Sequence, residues 1–89
     1  MLMVKGINSR MKKYVKVTST TDEDGRVMPL SIEWDDGVRY EIDRVIDARQ
    51  AASLKVGGTG MRYTIRVGHE TTFLFYENPR WYVEAKMTS

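Results

Sequence analysis

The stretch MRYTIRVGHETTFLFYE, Met61 to Glu77, places apolar residues at every second position before Gly68 and His69 and in a consecutive run after them. Met61, Tyr63, Ile65 and Val67 alternate with Arg62, Thr64 and Arg66, the period of a half-buried β-strand and not of a helix. A two-residue turn beginning with glycine is a common hairpin connection. The second half is harder to place, because Phe73, Leu74, Phe75 and Tyr76 are consecutive and cannot all face one core.

The same alternation extends outward in both directions. Toward the C-terminus, NPR turns the chain into WYVEAK. Toward the N-terminus, Val15 and Val17 open the pattern, DEDG (Asp22 to Gly25) interrupts it, and Leu30, Ile32 and Trp34 resume it before Val38, Tyr40 and Ile42. A three-residue Asp35-Asp36-Gly37 loop sets Trp34 opposite Val38, Ile32 opposite Tyr40 and Leu30 opposite Ile42, so the apolar side chains share a face. A two-residue loop would set Trp34 against Arg39. The pattern therefore selects the longer loop, with Gly37 in the left-handed conformation. Val45 and Ile46 are adjacent, and ARQAASLK has better helix than strand propensity, so a strand is expected to end near Asp47 and to be followed by one helical turn. The expected fold is all-β: a meander of about six short strands, curled into a barrel-like sheet of SH3 or OB size.

The totals set further bounds. A chain of 89 residues is one small domain, here read as residues 13–86, with a basic, flexible extension over 1–12 and a tail over 87–89. Met11 opens MKKYVKV, which reads like a second start. With no cysteine there is no disulfide and no thiolate metal site. No segment has the apolar run of a signal peptide or a membrane helix, so a soluble, cytoplasmic protein is the expectation. The formal net charge is only +2, but Lys5, Arg10, Lys12, Lys13 and Lys16 all precede the first acid, Asp22.

Several chemistries lack their residues. LKVGGTG carries Lys55 before its glycines and a strand after them, whereas a phosphate loop needs the lysine after the glycines and then a helix. What remains is an anion nest at Gly57, Gly58 and Gly60, with Lys55 and Arg62 beside it; a plain connection between strands explains the same glycines. His69, the single histidine, lies in a turn. DEDG lacks the spacing of a calcium loop and reads as a turn. Asp43 and Asp47 would lie about 13 Å apart along a strand, more than the roughly 9.5 Å that paired glycosidase carboxylates span. Ion pairing with Arg44 or Arg49 explains them better. No catalytic residue, metal site or cofactor is expected.

SIEWDDGVRYEIDRVIDARQAASLKVGGTGMRYTIRV and FLFYENPRWYVE together resemble a family of short bacterial all-β proteins. That family combines a Trp-x-Asp-Gly turn, an Ile-Asp-Arg-Val run, a Gly-Gly-x-Gly-x-Arg-Tyr-Thr run and a Trp-x-Val-Glu ending. The resemblance covers most of the chain after Met11, departs at the longer ENPR loop, and brings no activity with it.

Function turns on the register of the last hairpins. A two-residue Gly68-His69 loop and a four-residue ENPR loop put Leu74, Tyr76, Trp81 and Val83 with Tyr63 and Ile65. Phe73, Phe75 and Tyr82 then lie on the other face beside Arg62, Arg66 and Lys86. Three-residue loops would instead send Phe73 and Phe75 to the core and leave Leu74, Tyr76 and Tyr82 outside. The first register is favoured by its turn. An aromatic and basic face suits a protein partner or a second copy of the chain, the favoured reading because Glu77 and Glu84 lie nearby. The alternative is single-stranded RNA or DNA. Self-coverage of the face, with no function, is the third reading.

Overall fold

The computed structural model describes residues 10–52 and 59–86. Seven strands form one antiparallel sheet: β1 (Arg10–Thr21), β2 (Val27–Glu33), β3 (Arg39–Glu41), β4 (Arg44–Ala52), β5 (Thr59–Val67), β6 (Glu70–Glu77) and β7 (Arg80–Lys86). Their order is β3-β2-β1-β7-β6-β5-β4. This is a meander closed by pairing of the first strand with the last, and its seam falls between β3 and β4. The curl is read from Tyr63 on β5, whose hydroxyl donates to the Val27 carbonyl on β2 at 2.5 Å although three strands separate the two in the sheet. Burial raises the pKa of the Tyr63 phenol, which keeps it the protonated donor this contact needs.

The curled sheet is a half-barrel, and its concave face holds the core. Ile32, Tyr63, Ile65, Leu74 and Trp81 are buried there, with Val15, Val17, Trp34, Val45, Met61, Tyr76 and Val83 packed around them. These are the alternate positions read from the sequence. The first hairpin of that pattern has the expected form. Trp34 and Val38 close the loop by a 2.9 Å hydrogen bond, Ile32 faces Tyr40, and Gly37 has φ +85°. Asp22 organises the DEDG turn by accepting from the amides of Asp24 and Arg26.

Three local expectations need correction. The strand expected to end at Asp47 continues to Ala52, because Asp47 through Ala52 pair residue by residue with Thr64 through Thr59. Hydrogen bonding to a neighbouring strand outweighs the helix propensity of ARQAA, which is worth only tenths of a kcal/mol per residue. Among the described residues there is no helix. Leu30 is exposed, since the β1–β2 register shifts there, and Pro29 and Ser31 are buried beside it. β1 begins at Arg10, with Met11 and Lys12 opposite Ala85 and Glu84, so the sheet takes in residues expected to belong to the extension.

Candidate functional site

Turn chemistry decides which side chains meet on the convex face. Val67 pairs with Glu70 across a two-residue Gly68-His69 loop, with Gly68 at φ +61°. The Gly68 amide is held by the Asp43 carboxylate at 2.7 Å, so Asp43 fixes a turn instead of joining an acid pair. Glu77 pairs with Arg80, leaving a two-residue Asn78-Pro79 loop inside the expected four. The pairing of Tyr76 with Trp81 and of Phe75 with Tyr82 is the same for either loop length. Leu74 and Trp81 therefore go to the core, and Phe73, Phe75, Tyr82, Arg62 and Arg66 share the convex face.

That face does not expose its aromatics as expected. Phe75 and Tyr82 are only 4% and 1% exposed. Their rings stack with centroids 4.9 Å apart and planes 5° from parallel, and Tyr14 meets Tyr82 edge-on at 5.8 Å. The Lys12 ammonium lies 4.8 Å from the Tyr82 ring centre, a cation–π cover supplied by a long side chain. Phe75 and Tyr82 thus form a small second core on the convex side, not a contact surface. Phe73 is the aromatic of the three that remains accessible, at 42%, with the Arg62 guanidinium 4.6 Å from its ring centre.

On one flank of this core, Glu77 gathers three groups. Lys12 Nζ donates to one carboxylate oxygen at 2.7 Å, the Tyr14 hydroxyl donates to the other at 2.8 Å, and Arg80 stands 3.7 Å away. The Lys12 hydrogen bond, then that of Tyr14, lowers the Glu77 pKa, and the same contact raises that of Lys12. A carboxylate with a depressed folded-state pKa contributes stability above its unfolded pKa, and that contribution disappears as pH falls through the folded value. Glu77→Gln is therefore expected to melt with less loss on acidification than the parent below the ordinary glutamate range. Parallel melting curves across the acid range check this. Equal acid sensitivity in both proteins would show that Glu77 does not couple to folding.

On the other flank, the β4–β5 ladder sets Arg44 directly opposite Arg66 and Arg49 directly opposite Arg62. Like charges facing each other across strands destabilise a sheet. Asp47, between the pairs and opposite Thr64, bonds Arg49 at 2.9 Å. Among the described residues, Arg44, Arg62 and Arg66 have no carboxylate in ion-pairing range, and the buried Arg62 Nε has no hydrogen-bond acceptor. Phe73 lies opposite Thr64, between the two arginine rows.

Of the expected anion nest, Gly60 proves to be a strand residue paired with Ala51. Lys55, Gly57 and Gly58 lie outside the described residues, and so does the end of the ARQAASLK stretch. Sequence reasoning misses the arginine quartet because Arg44 and Arg49 lie in a segment whose composition reads as a strand end and a helical turn. A separate apolar groove of about 730 Å³ opens on the concave side, with Trp34, Tyr40, Val67 and Val83 in its lining. Among the described residues no three His, Asp or Glu side chains converge as metal ligands would. Comparison with protein-family models, curated proteins and solved structures finds no match.

Proposed function

We propose that the chain is a small non-enzymatic binding module whose convex face takes single-stranded RNA or DNA. The observation that carries this reading is the pair of directly opposed arginine rows, Arg44 with Arg66 and Arg49 with Arg62, with Asp47 as the acid between them on the ladder. Such an arrangement costs the free protein stability, and a chain of phosphates offsets the repulsion. Local rules are broken in this way most often at sites that serve a ligand. Phe73 adds an accessible ring on which a base can stack.

The burial of Phe75 and Tyr82 removes the apolar patch that favoured a protein partner on this face. A protein partner stays as the second reading on different ground, the apolar groove around Trp34 and Tyr40. Fluorescence anisotropy with short single-stranded RNA and DNA at two salt concentrations separates the two. Binding is expected at low salt. Arg62→Ala and Arg66→Ala should each weaken it for unrelated sequences and flatten the salt dependence by about 0.7 in log–log slope for each phosphate no longer neutralised. Absence of binding at low salt, or affinity unchanged in both variants, would overturn the proposal.

A further inference from the structure

The sheet ends in two edges of very different kinds. β3 is three residues long, too short to template much pairing, whereas β4 is nine residues long. Among the described residues, no strand lies on the outer side of β4. Proteins usually blunt an exposed edge with proline, lysine, a bulge or a covering segment. β4 has a bulge at Ile46, whose side chain is 47% exposed. Beyond it, Asp47 to Ala52 follow the ladder regularly and contain neither proline nor lysine.

We infer that this edge pairs antiparallel with β4 of a second copy of the chain, about a twofold axis at Ala48. The charges select the register. An axis at Ala48 sets Asp47 opposite Arg49 of the second copy and Arg49 opposite its Asp47, giving two cross-strand ion pairs on the convex face. Moving the axis one residue either way sets Asp47 against Asp47 or Arg49 against Arg49, which is repulsive. The small Ala48 side chains meet at the centre, and Ile46 comes opposite Gln50. An isologous contact of this type closes as a dimer and leaves no further edge of the same kind. It also brings the two arginine quartets side by side across the seam, doubling the cationic surface available to a polyanion. The pairing itself does not depend on the nucleic-acid reading, because it is measured on protein alone.

The self-complementarity provides a test. Sedimentation equilibrium is run on the parent protein, Asp47→Arg, Arg49→Asp, the double variant carrying both, and an equimolar mixture of the two single variants. The parent is expected to show a concentration-dependent dimer. Each single variant puts like charges opposite each other and should weaken self-association about tenfold or more. The double variant restores both pairs with reversed sign. The mixture should form heterodimers, since arginines at 47 and 49 of one chain meet aspartates at 49 and 47 of the other. Asp24→Arg mixed with Arg26→Asp makes the same charge changes beside an exposed turn away from β4, and this control for attraction by net charge should associate no more than either variant alone. Both ladder positions are open to solvent, with side chains 40% and 62% exposed, so both single variants should fold; Asp47→Arg adds a fifth arginine to the convex face and should melt below the parent, and far-UV circular dichroism checks that its sheet is intact. A parent protein that is monomeric throughout, single variants that dimerise as well as the parent, or a control mixture that gains as much association over its components as the test mixture does would each refute the β4 seam.

Discussion

Gly60→Ala is expected to destabilise the protein by about 3 kcal/mol, with a fall in melting temperature of roughly 15 °C for a domain of this size. Two causes act together. Gly60 has φ +144°, a conformation nearly closed to residues with a Cβ. A Cβ built there would also run into the backbone carbonyl oxygen of Tyr76 on the neighbouring strand, which is not the end of a flexible side chain and cannot turn away. The β5–β6 ladder would have to part where Met61 faces Tyr76. Urea or thermal unfolding reads the effect directly. A variant as stable as the parent would mean that Gly60 is not pinned between β4 and β6, and the anion-nest reading of the loop would regain ground. Gly37 provides a comparison: its φ is also positive, at +85°, but a Cβ there would meet open space, so Gly37→Ala should cost only the conformational part.

The contrast between these glycines shows what the sequence made legible. Gly37 was readable because a one-residue change in loop length would have moved Trp34 off the apolar face, so hydropathy alone chose its conformation. Hydropathy left the Gly68-His69 turn open, since four consecutive apolar residues suit either register, and only the glycine that begins the turn favoured the observed sidedness of Phe73, Leu74, Phe75 and Tyr76. Gly60 was not readable, since its constraint comes from a carbonyl sixteen positions away that approaches only once β5 and β6 pair. The second half of β4 was missed for a related reason. Its helix-favouring composition is a local preference, and its strand state depends on six consecutive pairings with β5. The arginine quartet follows from that ladder and could not be seen before it. The bulge at Ile46 likewise breaks the period of two without any glycine or proline to announce it, whereas Pro29 stands beside the one at Leu30.

Replacing Phe75 or Tyr82 with alanine should cost about 3–5 kcal/mol, the range for truncating a buried aromatic, and should do so in the absence of any ligand. Register places both residues on the side of the sheet away from the main core, where a surface role would make their truncation nearly silent. Burial argues otherwise. Each ring is almost fully covered, by its stacked partner and by side chains that include Tyr14 and Lys12. Removing either ring leaves a void beside the other, and removing Tyr82 also strips Lys12 of its aromatic support. The effects of the two truncations should therefore not add. A double-mutant cycle with leucine at each position, which keeps apolar volume, should return a coupling of about 0.5–1.5 kcal/mol for the parallel stack. Phe73→Ala is the internal control. Its ring is 42% exposed, so it should alter stability far less and appear instead in oligonucleotide affinity, where stacking of one base is worth about 1–3 kcal/mol. If Phe75→Ala and Tyr82→Ala melt like the parent while Phe73→Ala does not, the convex face has the opposite organisation, and the stacked pair belongs to the binding surface.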